Sequence, residues 1–116
     1  MPGCTDAATF ASILCRIDLL VAATEAGDVD ERVQQTLLER LAKARSVVLE
    51  AQNRFDGGII RGAQSKLKSA ERRMRGYTQR VNSLAGRRAM DPTLAAVLTD
   101  HAEAIEDDIK ALRKSL

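Results

Sequence analysis

The sequence predicts an all-α protein, and three observations lead to that class. Apolar residues recur at alternating steps of three and four, the spacing that places them along one face of a helix. The chain holds only two Phe, one Tyr and two Pro, so the aromatic and β-branched runs typical of strands are missing. A length of 116 residues suits one core. We therefore expect residues 1–116 to form a single domain, an antiparallel up-down-up-down four-helix bundle.

The first predicted helix runs from about Ala7 to Ala26. Thr5 or Asp6 is placed to cap its beginning, and Gly27 suits the left-handed residue that often follows a helix. Its apolar face consists of Phe10, Ile13, Leu14, Ile17, Leu20, Val21 and Thr24.

The second predicted helix begins with Asp28 as its N-cap, and Glu31 three residues later approaches a capping box. It ends at Asp56-Gly57-Gly58, because paired glycines are rare inside a stable helix. Its apolar face consists of Val33, Leu37, Leu41, Ala44, Val48, Ala51 and Phe55.

The third predicted helix runs from about Ile59 to Ala85 and has the most regular pattern. Its apolar positions are Ile60, Ala63, Leu67, Ala70, Met74, Tyr77, Val81 and Leu84. Gly86 is expected to end it. Asp91 and Pro92 then begin a fourth helix, since Asp accepts free backbone N–H groups and Pro fits the first helical position. That helix carries Leu94, Leu98, Ala102, Ile105, Ile109, Leu112 and Leu116.

Short connections make successive helices antiparallel neighbours around an aliphatic core. We expect this core to include Leu14, Ile17, Leu41, Val48, Leu67, Met74, Val81, Leu98, Ile105 and Leu112.

Charge is distributed unevenly, although the net charge is only +2. Residues 59–88 contain nine Lys and Arg with Glu71 as the single acid, whereas residues 91–108 contain six acids and neither Lys nor Arg. Two interpretations stay open: complementary faces within one bundle, or a basic surface for an anionic partner.

Cys4 and Cys15 are too far apart in sequence for a usual zinc-binding pair. On one continuous helix their Cα atoms would lie about 16 Å apart, beyond the roughly 7 Å limit of a disulfide. A bridge therefore requires residues 4–8 to fold back along the first helix. We predict that bridge, with two free thiols as the alternative, and a disulfide would indicate an oxidising compartment.

The third helix also carries a stripe of small residues at every seventh position, namely Gly62, Ser69, Gly76 and Ser83. Beside it runs a basic stripe of Arg61, Lys68 and Arg75. One interpretation is an ordinary solvated face. The other is a candidate partner surface, on which small side chains allow a close approach between arginines.

No residue pattern predicts catalysis, a cofactor or a metal site. His101 is the single histidine, and the neighbouring Asp100, Glu103 and Asp108 would repel a phosphoryl group. A di-iron site needs inward-facing acids on all four helices, and the apolar faces of the first three hold none. Specific nucleic-acid binding is also not expected, because base-stacking aromatics and known binding motifs are missing. No segment approaches the roughly 20 apolar residues of a membrane span.

Two segments resemble the FIMAH-type helical modules of bacterial secreted proteins. Residues 37–44 read Leu-Leu-Glu-Arg-Leu-Ala-Lys-Ala, and residues 70–88 place an aromatic four positions before Val81 and Gly-Arg after it. The family's usual Phe is Tyr77 here, and the first helix lies outside the shared pattern. The resemblance implies a small accessory module outside the cytoplasm.

These observations favour a non-enzymatic accessory, spacer or interaction module of an exported bacterial protein, extracellular or periplasmic. Its expected partner is an unknown protein or an anionic surface, and its expected state is a monomer or weak homo-oligomer. The alternative is a cytoplasmic nucleic-acid-associated or regulatory bundle that acts through the basic third helix. The redox state of the cysteines separates the two hypotheses, because free thiols favour the cytoplasm.

Overall fold

The computed structural model describes residues 4–116, and this part of the chain is helical without strands, so the all-α prediction is confirmed. It contains five helices rather than four. These are α1 (Phe10–Ala26), α2 (Glu31–Asp56), α3 (Ile60–Val81), α4 (Leu84–Ala89) and α5 (Pro92–Ser115). Four of them are long, and the six-residue α4 lies between α3 and α5.

The four long helices surround one core. Helix α1 packs against α2, α2 against α3, α3 against α5, and α5 against α1, whereas no close backbone contact joins α1 to α3 or α2 to α5 within residues 4–116. The described chain measures 44 × 26 × 18 Å along its principal axes. The long axis fits α2, since 26 residues at about 1.5 Å per residue span about 39 Å.

Contacts between α2 and α3 run in opposite chain directions. Lys66 near the start of α3 pairs with Glu50 near the end of α2, at 2.8 Å between Nζ and Oε2. Gly76, further along α3, lies beneath the side chain of Arg40, which is earlier in α2. Helices α2 and α3 are therefore antiparallel, as their short connection requires.

The interior is filled by aliphatic side chains and one aromatic ring. Its largest fully buried members are Tyr77, Ile13, Ile17, Leu20, Leu37, Leu41, Leu67, Met74, Leu98, Ile105, Ile109 and Val48. Of the predicted core residues, only Leu14 is half-buried, and it packs against the cluster from one side. Burial of apolar surface stabilises the fold by about 25 cal/mol per Å², so these helical faces hold the domain together.

The predicted apolar faces of the second and third helices are wrong at three end positions. Phe55 is 40% exposed, Ile60 is 38% exposed and Leu84 is 66% exposed. The first two lie where α2 turns into α3, beyond the layers that cover the middle of each helix. Leu84 is exposed because the chain has left α3 before reaching it.

Helix α3 ends at Val81, not at Ala85 as predicted. Ser83 then caps α4, and its Oγ accepts a hydrogen bond from the Gly86 N–H at 3.2 Å. Gly86 is buried inside α4 rather than ending α3. A Cβ on Gly86 would lie 2.2 Å from the carbonyl oxygen of Val81. The missing side chain therefore allows α4 to fold tightly back onto the end of α3.

The caps agree with the sequence at α5 and differ at α1 and α2. Asp91 caps α5 as predicted, accepting from the Thr93 N–H at 2.9 Å. Helix α1 is capped by Thr9, because the residues before it are used in the fold-back described below. Helix α2 is capped by Asp30 instead of Asp28, and the Asp30 N–H donates to the carbonyl of Ala89 at 2.9 Å. Gly27 follows α1 with a φ of −71°, so it is not left-handed as expected.

Candidate interaction surfaces

Residues 4–9 fold back along the first turns of α1. Cys4 and Cys15 lie at disulfide distance, with 2.02 Å between their Sγ atoms and 5.7 Å between their Cα atoms. Ser12 fixes the returning backbone, since its hydroxyl donates to the carbonyl of Thr5 and accepts from the Ala7 N–H. Residues 4–9 therefore run back beside the helix, the geometry that a Cys4–Cys15 bridge requires.

Arg16 holds the same segment from the other side. Its Nη1 lies 3.2 Å from Oδ1 of Asp6, and its Nη2 lies 2.6 Å from Oδ2 of Asp108 on α5. Nη2 also donates to the carbonyl of Ala7 at 2.9 Å. The side chain of Arg16 is only 13% exposed. This link was missed from the sequence, because nothing local shows that residues 6, 16 and 108 meet.

His101 lies beside this segment, in a cleft of about 230 Å³ that also includes Cys4, Asp6 and Arg16. The guanidinium of Arg16 already forms ion pairs with two carboxylates. Its positive charge is therefore neutralised by acids of the same chain. Within residues 4–116, no group of three or more potential metal ligands is assembled.

Two residues of the basic stripe of α3, Lys68 and Arg75, lie beside α5. Arg75 donates to Glu106 of α5 at 3.1 Å between Nη2 and Oε2. Lys68 lines a shallow cleft with Arg113 and Lys114 of α5. Arg61, Lys68 and Arg75 are all exposed. The stripe is thus a real surface, although one of its three cations is neutralised by an acid of the same chain.

The small-residue stripe faces α2 instead. A Cβ on Gly62 would lie 3.0 Å from Cδ of Arg54, and a Cβ on Gly76 would lie 3.0 Å from Nη1 of Arg40. Both glycines therefore make room for arginines of the neighbouring helix. Ser69 is half-buried, and Ser83 belongs to the cap of α4. The close approach that small residues allow is thus made, at Gly62 and Gly76, by this chain's own side chains.

A second basic cleft lies between α2 and α3. It has a volume of about 170 Å³ and is lined by Thr36, Glu39, Arg40, Lys43 and Arg73. Sequence reasoning missed it because its cations come from helices whose register only the fold determines. One turn of α2 supplies Arg40 and Lys43, and the facing turn of α3 supplies Arg73.

Two ion pairs connect α3 to the helices on either side of it. Arg113 of α5 donates to Glu71 at 2.6 Å between Nε and Oε2, and Glu71 is only 5% exposed. The hydrogen bond and positive charge of Lys66 lower the pKa of the Glu50 carboxyl below its ordinary value. The α3 helix is therefore tied by ion pairs to both of its neighbours.

The end of the α2–α3 hairpin exposes apolar side chains. Ile59 is 56% exposed, and Phe55 and Ile60 are exposed beside it. The ring of Phe55 lies 5.7 Å from that of Phe10 on α1. Arg54 and Arg61 flank this apolar end in the sequence.

Across residues 4–116, no helix is long and apolar enough to cross a bilayer. Comparison of the chain with protein-family models, curated proteins and solved structures finds no match.

Proposed function

We propose that this chain is a non-enzymatic helical-bundle module, an accessory, spacer or interaction unit of an exported bacterial protein. The Cys4–Cys15 pair carries the proposal. Its Cα atoms lie 5.7 Å apart, within the range of a relaxed disulfide. Disulfides persist in oxidising compartments and are rare in the cytosol, so an extracellular or periplasmic location follows from the proposal.

We also infer the arrangement of the four long helices as antiparallel, up-down-up-down, with α4 as part of the last connection. Opposed contacts between α2 and α3 support it. So does the α3–α5 pair, in which Glu71 meets Arg113 whereas Asn82, just after the end of α3, meets Thr99, earlier in α5. The FIMAH-type resemblance belongs to the same proposal, which treats the domain as a scaffold that presents surfaces.

The partner surface in this proposal is the face shared by α3 and α5. Arg61 and Lys68 are exposed and make no ion pair within residues 4–116. Lys114 adds a third cation beside Lys68. A protein with an acidic patch, or another anionic surface, would be attracted to this face by charge, and salt would weaken the attraction.

One observation favours the second candidate function, a cytoplasmic nucleic-acid-associated bundle. Basic side chains without an acidic partner occur on α3 and on the adjoining part of α2. Such a surface neutralises phosphates, but phosphate contacts alone carry no base information. Under the first proposal we therefore expect any DNA or RNA binding to be weak, salt-sensitive and sequence-blind, whereas the second candidate requires stronger binding and free thiols.

The two candidates are separated by mass spectrometry of the unreduced protein isolated from its host. The proposal expects one Cys4–Cys15 bridge, two hydrogen atoms lighter than the reduced chain. Two alkylatable thiols in that sample would count against export and favour the cytoplasmic candidate.

The partner surface is tested by reversing its basic stripe with Arg61→Glu, Lys68→Glu and Arg75→Glu. We expect an intact fold, because these side chains are exposed, and loss of binding to an anionic probe such as duplex DNA at low salt. Arg32→Glu, Arg87→Glu and Arg88→Glu form the matched control, with the same change in net charge at exposed positions outside α3. Sub-micromolar, sequence-selective binding at physiological salt would instead promote the nucleic-acid function.

A further inference from the structure

We propose that the cleft between α2 and α3, lined by Arg40, Lys43 and Arg73, binds a phosphate or sulfate group. This anion cleft lies on the α2 side of α3, whereas the partner surface described above lies on the α5 side. The inference therefore goes beyond the proposed function, and neither depends on the other.

The positive charge of the anion cleft is not balanced by acids of the chain. Three cations and one acid, Glu39, line it, which leaves a surplus of positive charge. None of the three cations makes an ion pair within residues 4–116. By contrast, Arg113 and Lys66 do have acidic partners across helices, in Glu71 and Glu50. Like charges that converge in this way repel one another, and a bound anion would remove that repulsion.

A neighbouring arginine extends the same charge along α3. Arg80 lies seven residues after Arg73, two helical turns further on the same face. Its Nε is buried and has no hydrogen-bond partner among the described residues. Buried donors are normally satisfied, so this part of α3 carries positive charge and an unused hydrogen-bond donor.

Gly76 leaves room for the arginine that would contact the anion. Nη1 of Arg40 lies 3.0 Å from where a Cβ of Gly76 would be, so the guanidinium reaches the surface of α3. A guanidinium offers a planar fork that matches two oxygens of a phosphate or sulfate. Lys43 adds a point charge from the same turn of α2.

The remaining lining residue is not a donor for the anion. The hydroxyl of Thr36 already donates to the carbonyl of Arg32 at 3.1 Å. Recognition therefore rests on Arg40, Lys43 and Arg73, and a volume of about 170 Å³ accommodates one oxyanion group with part of its hydration shell. Because the cleft is open to solvent, we expect modest affinity that falls with ionic strength.

The test is a titration of the full chain with inorganic phosphate, and separately with sulfate, followed by amide chemical shifts at constant ionic strength. We expect saturable shifts confined to the turns that contain Arg40, Lys43 and Arg73. Absence of saturation, or shifts that map to the α3–α5 face instead, would overturn the proposal.

Lys43→Glu combined with Arg73→Glu should weaken phosphate binding by about tenfold or more, since attraction becomes repulsion at contact distance. Arg87→Glu combined with Arg88→Glu is the control, because it changes the net charge equally at exposed positions of α4. Equal weakening of phosphate binding in both double variants would show only a response to net charge and would contradict a specific site in the anion cleft.

Thermal unfolding measured without phosphate shows whether the double variant still folds, so that lost binding is not mistaken for lost structure. Lys43→Glu places a carboxylate near Arg40, so the double variant should melt no lower than the unmodified chain. Lys43→Gln with Arg73→Gln provides a second, neutral variant, which must also lose the saturable shifts.

A polyphosphate chain or a sulfated oligosaccharide then identifies the source of the anion. Tighter binding than that of the free ion, abolished by the same substitutions, indicates a group carried on a polymer. Equal affinity indicates a free ion, and both results support the cleft.

Discussion

The hydroxyl oxygen of Tyr77 on α3 lies 2.9 Å from the hydroxyl oxygen of Thr24 on α1, in the fully buried interior. The Thr24 hydroxyl donates its own hydrogen bond to the carbonyl of Leu20, at 2.8 Å. The Tyr77 hydroxyl is therefore the donor to Thr24. Helices α1 and α3 are not neighbours. This hydrogen bond therefore crosses the core and links two helices that otherwise meet only through the side chains between them.

Removing either hydroxyl should have unequal effects. Tyr77→Phe loses one hydrogen bond and should lower the free energy of unfolding by about 1 kcal/mol. Thr24→Val leaves the buried Tyr77 hydroxyl without an acceptor and should cost about 1–3 kcal/mol. The double variant should cost less than the sum of the two. Strictly additive losses in chemical denaturation would show that the two hydroxyls do not interact.

Tyr77 also predicts a loss of stability at high pH. Burial raises the pKa of Tyr77 to about 12, from the ordinary value of 10.0. The folded chain therefore holds the phenol proton more tightly than the unfolded chain does. This stabilisation is complete below pH 10 and is lost as the pH rises through 12. It amounts to about 2–3 kcal/mol, at about 1.4 kcal/mol per pKa unit.

Tyr77 is the only tyrosine, so near-ultraviolet absorbance follows its ionisation directly. Comparison with Tyr77→Phe isolates its effect from lysines that titrate in the same range. A Tyr77 that ionises at its ordinary pKa, in a chain that is still folded, would contradict the prediction.

The ion pair between Glu71 and Arg113 should contribute far more than the exposed pairs. Arg113→Ala leaves a carboxylate that is only 5% exposed without its partner. We expect a loss of about 2–3 kcal/mol, somewhat below the 3–5 kcal/mol of a fully buried pair, because the Arg113 side chain is 25% exposed.

Arg45→Ala is the matched control, since Arg45 pairs with Asp18 at the surface. It should change the free energy of unfolding by under about 1 kcal/mol. Urea denaturation of both variants measures the difference. Similar losses would show that burial of Glu71 does not set the strength of its pair.

Alanine at Gly86 and at Gly76 should act in opposite directions. A Cβ on Gly86 would lie 2.2 Å from a backbone oxygen of Val81, which cannot move without displacing α4. We expect a loss of about 1–3 kcal/mol. At Gly76 the crowded atom is the flexible end of Arg40, so Gly76→Ala should gain up to about 1 kcal/mol of helix stability. Thermal melting curves shifted in the same direction for both variants would refute this pair of predictions.

Loss of the Cys4–Cys15 bridge should destabilise the chain without unfolding α1. Its loop is short, with a sequence separation of 11 residues, so reduction should lower the free energy of unfolding by at most about 3 kcal/mol. Hydrogen bonds of Ser12 and ion pairs of Arg16 still hold the segment. Denaturation with and without reductant measures the change, and Cys4→Ser with Cys15→Ser provides the control. A denaturation curve unaffected by reductant would contradict a stabilising role of the bridge.

The sequence alone predicted the all-α class and most of the buried residues. Leu41, Met74 and Ile105 are fully buried or nearly so, as their spacing indicates. The Asp91 cap was also predicted, because capping depends on residues a few positions apart. Helical periodicity is likewise a local property of the chain. Caps and periodicity can therefore be predicted without knowing which helices pack together.

Only the tertiary structure decided where these faces end and what the polar residues contact. The apolar rhythm of α3 continues through Leu84, yet the helix ends at Val81 because Gly86 packs against its last carbonyls. The place of Gly76 beneath Arg40, and of Arg73 beside Lys43, depends on the register between α2 and α3. Register is set by packing between residues distant in sequence, which a local pattern does not encode.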